Sequence, residues 1–394
     1  MTSLEHPPTP ALPTPSEALS RRPRRAALPV AAGIALAGLV AVAGCSGGGT
    51  DDEANGAAAS ASADADRPRA ERLELLLSAL AADSMLGRAT GTPGSRMAAA
   101  FLASELERYG VEAAGSDGFF QPVPLARTTR DGPGGPRPGL VLPSDEVDFD
   151  TIPADRIVEG EVNVVGVIRG SDPAVADEAV VIGAHYDHVG VGAPVPDEHG
   201  VADSIYNGAD DDGSGTVAIL EIARELASGP APRRTVVVLL STAEEQGLLG
   251  TFWYIRNPVV PIERTVANLQ IEMIGRPDDA VGGFGRAWLT GYERTTMGDQ
   301  LAAAGSPISP DARPEMRFFF RSDNVAFAIE GIPAHTLSSY NLHADYHQPS
   351  DEVDKVDFEH MAAVVDAAVE AVRYLADGPT PEWKEGGREG LPGG

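Results

Sequence analysis

The sequence contains a single cysteine, few aromatic residues and little positive charge. One cysteine among 394 residues, Cys45, cannot form an intramolecular disulfide, and metal sites built from several thiolates are excluded as well. Any metal must therefore be held by histidine and carboxylate ligands. The 30 basic and 58 acidic side chains give a formal net charge of −28 at pH 7. Because nucleic-acid binding needs a basic surface, this balance argues against DNA or RNA as a partner.

The first 44 residues have the pattern of a secretion signal. Arginines at positions 21, 22, 24 and 25 precede an uncharged apolar run over residues 26–44, as in signal peptides. The run ends in Val42-Ala43-Gly44-Cys45, which resembles the lipobox of bacterial lipoproteins, so we predict a signal peptide over 1–44 and a lipid anchor on Cys45. An uncleaved membrane anchor is the alternative, but the run is short for a span of about 20 residues and contains Pro29.

Composition divides the remaining chain into three segments. Residues 45–68 are mainly Gly, Ala, Ser and Asp, which cannot form an apolar core, so we predict a flexible tether. Residues 69–377 carry the periodic apolar patterns of one large domain. Residues 378–394 are rich in Pro, Gly and charge and are predicted to be a disordered tail. We expect an exported protein that is lipid-anchored to the periplasmic or extracellular face of the cell envelope.

The body of the chain alternates helical and strand patterns. Apolar residues at three- and four-residue steps predict helices over 69–82, 97–109, 215–227 and 360–374. Short runs rich in β-branched residues predict strands over 163–168, 179–183, 235–240 and 267–271, and their continuous apolar character indicates burial on both faces. This alternation predicts an α/β sandwich around a mostly parallel sheet.

Polar clusters fall at the carboxyl ends of the predicted strands or at the start of a helix, where such sheets bind ligands. The clusters occupy positions 185–187, 210–212, 244–245, 272 and 346–351. Taken singly, each has an ordinary structural explanation, because acidic residues often cap helices and most surface carboxylates are simply solvated. Together they supply the nitrogen and oxygen ligands that zinc accepts without thiolates.

The same clusters belong to six strings that occur in a characteristic order. These are AHYDHVG (184–190), NGADDDGSGT (207–216), STAEEQGLLGT (241–251), IEMIG (271–275), RSDNVAF (321–327) and DYHQPSDE (345–352). The ordered set resembles the motifs of the co-catalytic zinc exopeptidases, the superfamily of bacterial leucyl aminopeptidases and glutamate carboxypeptidase II. Such a run is far more specific than any single motif. The resemblance implies the three-layer α/β sandwich of that superfamily, around a mostly parallel mixed sheet.

The resemblance also implies two zinc ions per chain that share one carboxylate. By position, the ligands would be Asp210, Glu245 and His347 for one ion, and His185, Asp210 and Glu272 for the other. The family most often has Asp where Glu272 stands, and its peptide between the positions of Asp210 and Asp211 is cis. His188, His335, His343 and His360 are assigned to structure or to the surface.

Further roles follow from the same resemblance. Glu244 takes the place of the general base, and Tyr346 that of the hydroxyl that steadies the substrate carbonyl. Asp187 and Asp351 would orient the two ligand histidines. Two more residues are candidate substrate contacts, although a salt bridge within their loop would explain them as well: Arg321 and Asp323.

We therefore expect a metal-dependent aminopeptidase that acts on short peptides. A carboxypeptidase or dipeptidase of the same fold is an alternative, because no motif reveals which end of a peptide is bound. Glutaminyl cyclases share the fold and several ligands but use one metal and release ammonia. A non-catalytic binding lipoprotein is disfavoured, since the ligand positions and Glu244 are all filled.

Overall fold

The computed structural model describes residues 67–131, 135–196 and 199–392. Within these ranges the α-helices are α1 (Arg69–Leu80), α2 (Pro93–Arg108), α3 (Gly215–Ser228), α4 (Leu249–Arg256), α5 (Met297–Ala303), α6 (Asn324–Ile329) and α7 (Phe358–Asp377). The strands are β1 (Glu112–Ala113), β2 (Phe120–Pro122), β3 (Leu125–Arg130), β4 (Arg137–Val141), β5 (Ile157–Val158), β6 (Val162–Ile168), β7 (Ala179–His185), β8 (Gly190–Pro196), β9 (Ala202–Tyr206), β10 (Thr235–Ser241), β11 (Thr265–Ile271), β12 (Ala287–Leu289), β13 (Ile308–Pro310) and β14 (Ala334–Ser338). The predicted helices and strands are confirmed, with ends that differ by a few residues.

A mixed sheet of nine strands forms the centre of the domain. Its order is β1-β6-β10-β7-β11-β14-β12-β13, and β2 also pairs with β6. The four central strands, β10, β7, β11 and β14, are mutually parallel, whereas β6 runs antiparallel to β10 and β12 runs antiparallel to β14. The register places Ser241 at the end of β10 opposite His185 at the end of β7. The carboxyl ends of the parallel strands therefore meet at one edge.

Helices cover both faces of this sheet, which gives the predicted three-layer sandwich. Alternate residues of β10 pack in opposite directions: Val236, Val238 and Leu240 join a core with α1, α2, α3 and α7, while Val237 and Leu239 join a second core with α4 and α6. Each fully buried side chain of this size stabilises the fold by roughly 1.5–3 kcal/mol. Burial on both faces explains why these strands lack polar alternation.

The N-terminal predictions fall largely outside the described residues. The signal peptide, the lipidation site Cys45 and the tether up to residue 66 are not among them, so they stay predictions. Among the described residues, no helix is both long enough and apolar enough to cross a membrane.

The predicted disordered tail is wrong for residues 378–392, which pack against the domain. The Trp383 indole donates a hydrogen bond to the Gly331 carbonyl at 2.7 Å, and Arg294 donates to the carbonyls of Gly387 and Glu389. Leu391 is buried. The segment is too poor in apolar residues to form a core alone, but it adds to a core that the rest of the chain already provides.

Candidate active site

The polar clusters meet at the carboxyl edge of β10, β7 and β11. His185 is the last residue of β7, Glu244 and Glu245 follow β10, and Glu272 follows β11. A tight turn over Ala209–Ser214 precedes α3 and brings Asp211 to the same place. Gly215 permits this approach, because a Cβ there would collide with the Ile271 carbonyl and with the Asp212 carboxylate.

The carboxylate of Asp211 belongs to two groups of metal-ligating side chains. In each group, one possible ligand atom per residue lies within 4.8 Å of the others; the groups are His188, Asp211, Glu245 and His347, and His185, Asp211 and Glu272. Oδ2 of Asp211 lies 3.0 Å from His347 Nε2, and Oδ1 lies 3.5 Å from His185 Nε2. The two oxygens thus face different groups, as in a bridging carboxylate.

The residue common to both groups is Asp211 and not the predicted Asp210. The Asp210 carboxylate turns away: Oδ1 accepts a hydrogen bond from the Gly275 amide at 2.7 Å, and Oδ2 lies 3.0 Å from His343 Nε2. The cis peptide is likewise one residue later than predicted, between Asp211 and Asp212. Any of three consecutive aspartates could face both groups of ligands, and only the backbone path of the turn decides which of them does.

His188 is a candidate ligand that the sequence analysis assigned to structure or to the surface. Its ring is buried, and Nδ1 lies 3.1 Å from Glu245 Oε1 and 3.8 Å from Asp211 Oδ2. The His347 ring lies against it at a centroid distance of 5.4 Å. The available signal was a second histidine within the AHYDHVG string, but strand alternation alone does not predict the direction of a side chain beyond the strand end.

The arrangement fits a bound cation. A tetrahedral zinc ion with ligand bonds of about 2.1 Å separates its ligand atoms by about 3.4 Å, close to the distances around Asp211. Several buried ligand atoms also have no hydrogen-bond partner within the described part of the chain: both ring nitrogens of His188, Oδ2 of Asp211 and Oε1 of Glu245. Since unpartnered buried polar atoms are costly, their convergence indicates a place for a metal ion.

Glu244 lies beside these groups without belonging to either of them. Its Oε2 is 3.9 Å from His185 Nε2, and its amide donates a 3.0 Å hydrogen bond to Oδ1 of Asp187. Burial raises the pKa of Glu244 well above its ordinary value, and the neighbouring Glu245 adds to the rise. The Asp187 side chain thus positions the backbone of Glu244. The backbone carbonyl of Asp187 accepts a hydrogen bond from the His185 ring at 3.0 Å.

Two other predicted roles are corrected by the structure. Asp351 does not act on a ligand histidine: Oδ2 accepts hydrogen bonds from the amides of Asp210 and Asp211, both at 3.0 Å, so it orients the metal-binding turn. Asp323 is 2% exposed and accepts a hydrogen bond from Ser241 at 2.5 Å. Burial behind the end of β10 leaves Asp323 no surface for a substrate.

Tyr346 and Arg321 line a small cavity next to Glu272. The cavity measures about 40 Å³. The Tyr346 ring stacks on His347 at a centroid distance of 4.0 Å, and the Arg321 guanidinium lies over the Phe318 ring at 5.2 Å. Burial raises the pKa of Tyr346 well above its ordinary value, so its hydroxyl keeps its proton and can donate a hydrogen bond toward the metal-ligating groups.

Burial and crowding perturb the acidic groups at this edge. Burial raises the pKa of three carboxyl groups to about 7: those of Asp187, Glu272 and Asp351. Burial by itself would lower the pKa of His347, but Asp211 and Glu245 raise it to about 11. So many carboxylates in one buried place favour positive charge there, as a divalent cation would supply.

The backbone at the site is strained at three residues that are not glycine. Ala243, Met273 and His347 have φ values of 57°, 50° and 54°, which cost an L-residue roughly 1–3 kcal/mol each. Ala243 precedes Glu244 and Met273 follows Glu272, so each sharp turn aims an acidic side chain. Strain of this kind persists where the surrounding fold over-determines it, and active sites are common among such places.

A buried arginine supports the ligand segments from behind. Arg88 is fully buried and donates hydrogen bonds to carbonyls of Tyr186 (2.8 Å), Asn207 (2.6 Å), Gly208 (2.9 Å) and Leu80 (3.1 Å). Burial lowers its pKa to about 10, while nearby aspartates oppose this effect, so the group stays charged at neutral pH. Arg88 therefore joins the segment of His185 and His188 to the turn that carries Asp211.

Replacing Arg88 by Met should lower the free energy of unfolding by about 3 kcal/mol or more, because four buried carbonyls lose a charged donor. Arg96→Met is the matched control, since Arg96 is exposed on α2, and should change stability by less than about 0.5 kcal/mol. Denaturant unfolding monitored by circular dichroism measures both. Equal stability of the two variants would show that Arg88 does not stabilise these segments.

Solved structures with this fold include aminopeptidases and a cyclase. The LapA aminopeptidase of Legionella pneumophila matches with a TM-score of 0.51 at 21% identity, over 84% of this chain and 76% of its own. The aminopeptidase of Aneurinibacillus sp. strain AM-1 matches with a TM-score of 0.54 at 19% identity, over 79% of this chain and 94% of its own. The glutaminyl cyclase of Porphyromonas gingivalis matches with a TM-score of 0.51 at 17% identity, over 77% of this chain and 97% of its own. These similarities confirm the predicted fold class and speak for the fold alone.

Similar sequences include vacuolar membrane proteases of fungi. The protein of Aspergillus clavatus is 27% identical over 216 residues, which are 53% of this chain and 20% of the relative. That of Penicillium rubens is 26% identical over 236 residues, or 55% of this chain and 22% of the relative. The chain thus spans about a fifth of the length of these relatives.

The sequence profile of Peptidase family M28 matches residues 163–372, more than half of the chain. This segment contains every residue of the two metal-ligating groups as well as Glu244 and Tyr346. The match confirms the resemblance to the zinc exopeptidases and the prediction of a zinc metallopeptidase. The chain belongs to peptidase family M28.

Proposed function

We propose that this protein is an exported aminopeptidase that removes N-terminal residues from short peptides with two zinc ions per chain. The observation that carries the proposal is the carboxylate of Asp211, whose two oxygens face separate ligand groups. A shared carboxylate is the ligand expected of a two-metal site. Glu244 lies next to the His185 side of the bridge without being part of it, as a general base requires.

The residues divide into ligands and groups that handle protons. One ion would be held by His188, Asp211, Glu245 and His347, and the other by His185, Asp211 and Glu272. When bound, two metal ions lower the pKa of water and polarise the carbonyl of the substrate. The second set has three protein ligands, which leaves room for substrate or water.

The hydrolytic steps follow from the positions of Glu244 and Tyr346. Glu244 accepts a proton from the attacking water, whose oxygen forms a bond to the carbonyl carbon of the peptide. The Tyr346 hydroxyl donates a hydrogen bond to the oxygen of the tetrahedral adduct, which carries the developing negative charge. Glu244 then returns the proton to the amine nitrogen as the carbon–nitrogen bond breaks. The products are a free amino acid and a shortened peptide.

We further propose a lipid anchor on Cys45 that holds the enzyme at the outer face of a membrane. The arginines and apolar run before Val42-Ala43-Gly44-Cys45 support this proposal. The name of the fungal relatives, vacuolar membrane protease, agrees with a peptidase located at a membrane. Short peptides outside the cytoplasm would be its substrates.

A metal count combined with a substrate panel tests the proposal. The purified full-length chain should bind two zinc ions by mass spectrometry of the metal content. It should cleave dipeptides and tripeptides with a free amino terminus and leave their N-acetylated forms intact. Removal of metal with a chelator should abolish cleavage, and added zinc should restore it.

Other outcomes would point to the alternatives. Cleavage of N-acetylated peptides that requires a free carboxyl terminus would indicate a carboxypeptidase. One zinc ion and ammonia release from a peptide with N-terminal glutamine would indicate a cyclase, the activity of the Porphyromonas gingivalis protein of the same fold. A chain that binds no metal would contradict the proposed catalytic function altogether.

A further inference from the structure

The guanidinium of Arg321 is a positive charge beside the candidate active site. It makes no hydrogen bond or ion pair within the described residues, and its contact is the face of the Phe318 ring at 5.2 Å. The chain has 30 basic side chains. Two other arginines near the site form ion pairs with carboxylates: Arg276 pairs with Asp345 and Asp351, and Arg313 pairs with Asp278. The aromatic ring stabilises the guanidinium from one side, and no carboxylate among the described residues takes up its hydrogen-bond donors.

The cavity that Arg321 lines holds a second unused donor. Trp288 is 1% exposed, and its indole nitrogen has no hydrogen-bond partner in the part of the chain that the structure describes. Trp288 packs against Phe318 with a centroid distance of 5.2 Å, so Trp288 and Arg321 contact the same ring. The hydroxyls of Thr336 and Ser338 in the same cavity already donate to Asn324 and Met273.

The cavity also connects directly to the proposed chemistry. Glu272 and Tyr346 are part of its wall, and Tyr340 lies between Phe318 (6.0 Å) and Tyr346 (5.6 Å) by ring centroids. The volume of about 40 Å³ accommodates on the order of three water-sized groups. That is the size of a carboxyl group.

We propose that this cavity binds a carboxylate of the substrate through Arg321 and Trp288. Both free groups are hydrogen-bond donors, so the cavity is complementary to an acceptor, and the guanidinium favours an anionic one with two oxygens. A purely apolar side chain would leave the buried Trp288 indole without a partner and would place no acceptor beside the guanidinium. This inference rests on the proposed function, since it assigns a substrate class to the same site.

The carboxylate can come from two parts of a peptide. An N-terminal Glu or Asp would place its side chain in the cavity, which would make the enzyme selective for acidic residues. The terminal carboxyl group of a dipeptide would do so instead if the enzyme measures peptide length. The two sources share one chemistry and differ in which substrates depend on Arg321.

Hydrolysis by the wild type and by Arg321→Met tests the inference. Two substrate pairs separate the sources: N-terminal Glu against Leu p-nitroanilides, and Leu-Leu against Leu-Leu-amide. In one of the two pairs, kcat/KM of Arg321→Met for the substrate that carries the carboxylate should be lower than that of the wild type by about 10- to 100-fold, as for a lost hydrogen bond to a charged group. For the neutral substrate of the same pair, kcat/KM should change by less than about threefold. Arg317→Met is the matched control, because Arg317 also lies over a ring, that of Phe320 at 4.8 Å, but is exposed outside the cavity.

A binding measurement tests the carboxylate site without relying on hydrolysis. Calorimetry with glutamate and with Leu-Leu should show binding to the zinc-loaded wild type that is weakened at least tenfold for one ligand by Arg321→Met and unchanged by Arg317→Met. If no peptide is hydrolysed but this pattern holds, the proposed function fails and the carboxylate site stands. Equal losses for acidic and neutral ligands, or no effect of Arg321→Met on either, would overturn the carboxylate site while leaving peptidase activity untouched.

Discussion

Replacing Glu244 by Gln should lower kcat by about a thousandfold while the chain keeps its zinc. The amide has the shape of the carboxylate but cannot accept the proton of the attacking water, and general-base catalysis typically contributes 10²- to 10⁴-fold. Glu244 belongs to neither metal-ligating group, so metal content should not change. Steady-state kinetics with a free-amine dipeptide and a metal count on the same sample measure the two effects separately.

Glu245→Gln is the matched comparison, because it makes the same chemical change at the adjacent residue. Glu245 belongs to the group with His188 and His347, so its replacement should reduce both metal content and rate. If Glu244→Gln lost zinc as readily as Glu245→Gln, then Glu244 would be a ligand and not a base. If Glu244→Gln retained the wild-type rate, the proposed proton transfer would be wrong.

The second large effect is expected from Asp211→Asn, which should abolish binding of at least one zinc ion and with it nearly all activity. Asp211 is the residue common to both groups, and an amide offers one neutral oxygen where the carboxylate offers two charged ones. Asp210→Asn should keep both ions at saturating zinc, with an affinity loss of no more than about 10- to 100-fold, as is typical of residues outside the ligand set. Calorimetric zinc titration of the metal-free chain distinguishes the two variants.

Asp210 is a demanding control because its carboxylate is also buried. It accepts hydrogen bonds from the Gly275 amide and the Ser214 hydroxyl, so Asp210→Asn should cost some stability. The thermal midpoints of both variants should therefore be measured with the titration. A variant Asp210→Asn that folds but binds no zinc, beside an Asp211→Asn that binds two ions, would return the bridge to the position predicted from the motif.

Four strands, four helices and the order of the chemical groups could be predicted from local patterns. Strand β10 shows its burial on both faces in the unbroken apolar run from Val236 to Leu240, and α3 shows its buried side through apolar residues at three- and four-residue steps. Because strands of this kind end at a common edge, the residues that follow them could be expected to converge. Glu244, Glu245, His185, Glu272 and His347 do so.

The remaining features depend on contacts between segments that are far apart in the chain. Asp210 and Asp211 are chemically identical neighbours, and the difference between them arises because the Gly275 amide takes one carboxylate while the other faces His185 and His347. Local composition cannot show this, since the partners lie in other segments, the nearest of them 26 residues away along the chain.

The sequence by itself determined four of the helices, four of the strands, the α/β class and the set of residue types available for metal chemistry. Only the tertiary structure decided that His188 joins a group that could bind a metal, that Asp323 is buried behind β10, that residues 378–392 pack on the domain, and that Arg321 has no carboxylate partner among the described residues. The physical reason is the separation along the chain over which each kind of interaction acts. Periodicity and turn chemistry act over a few residues, whereas the partner of a buried charge is set by whichever distant segment the fold brings within about 4 Å.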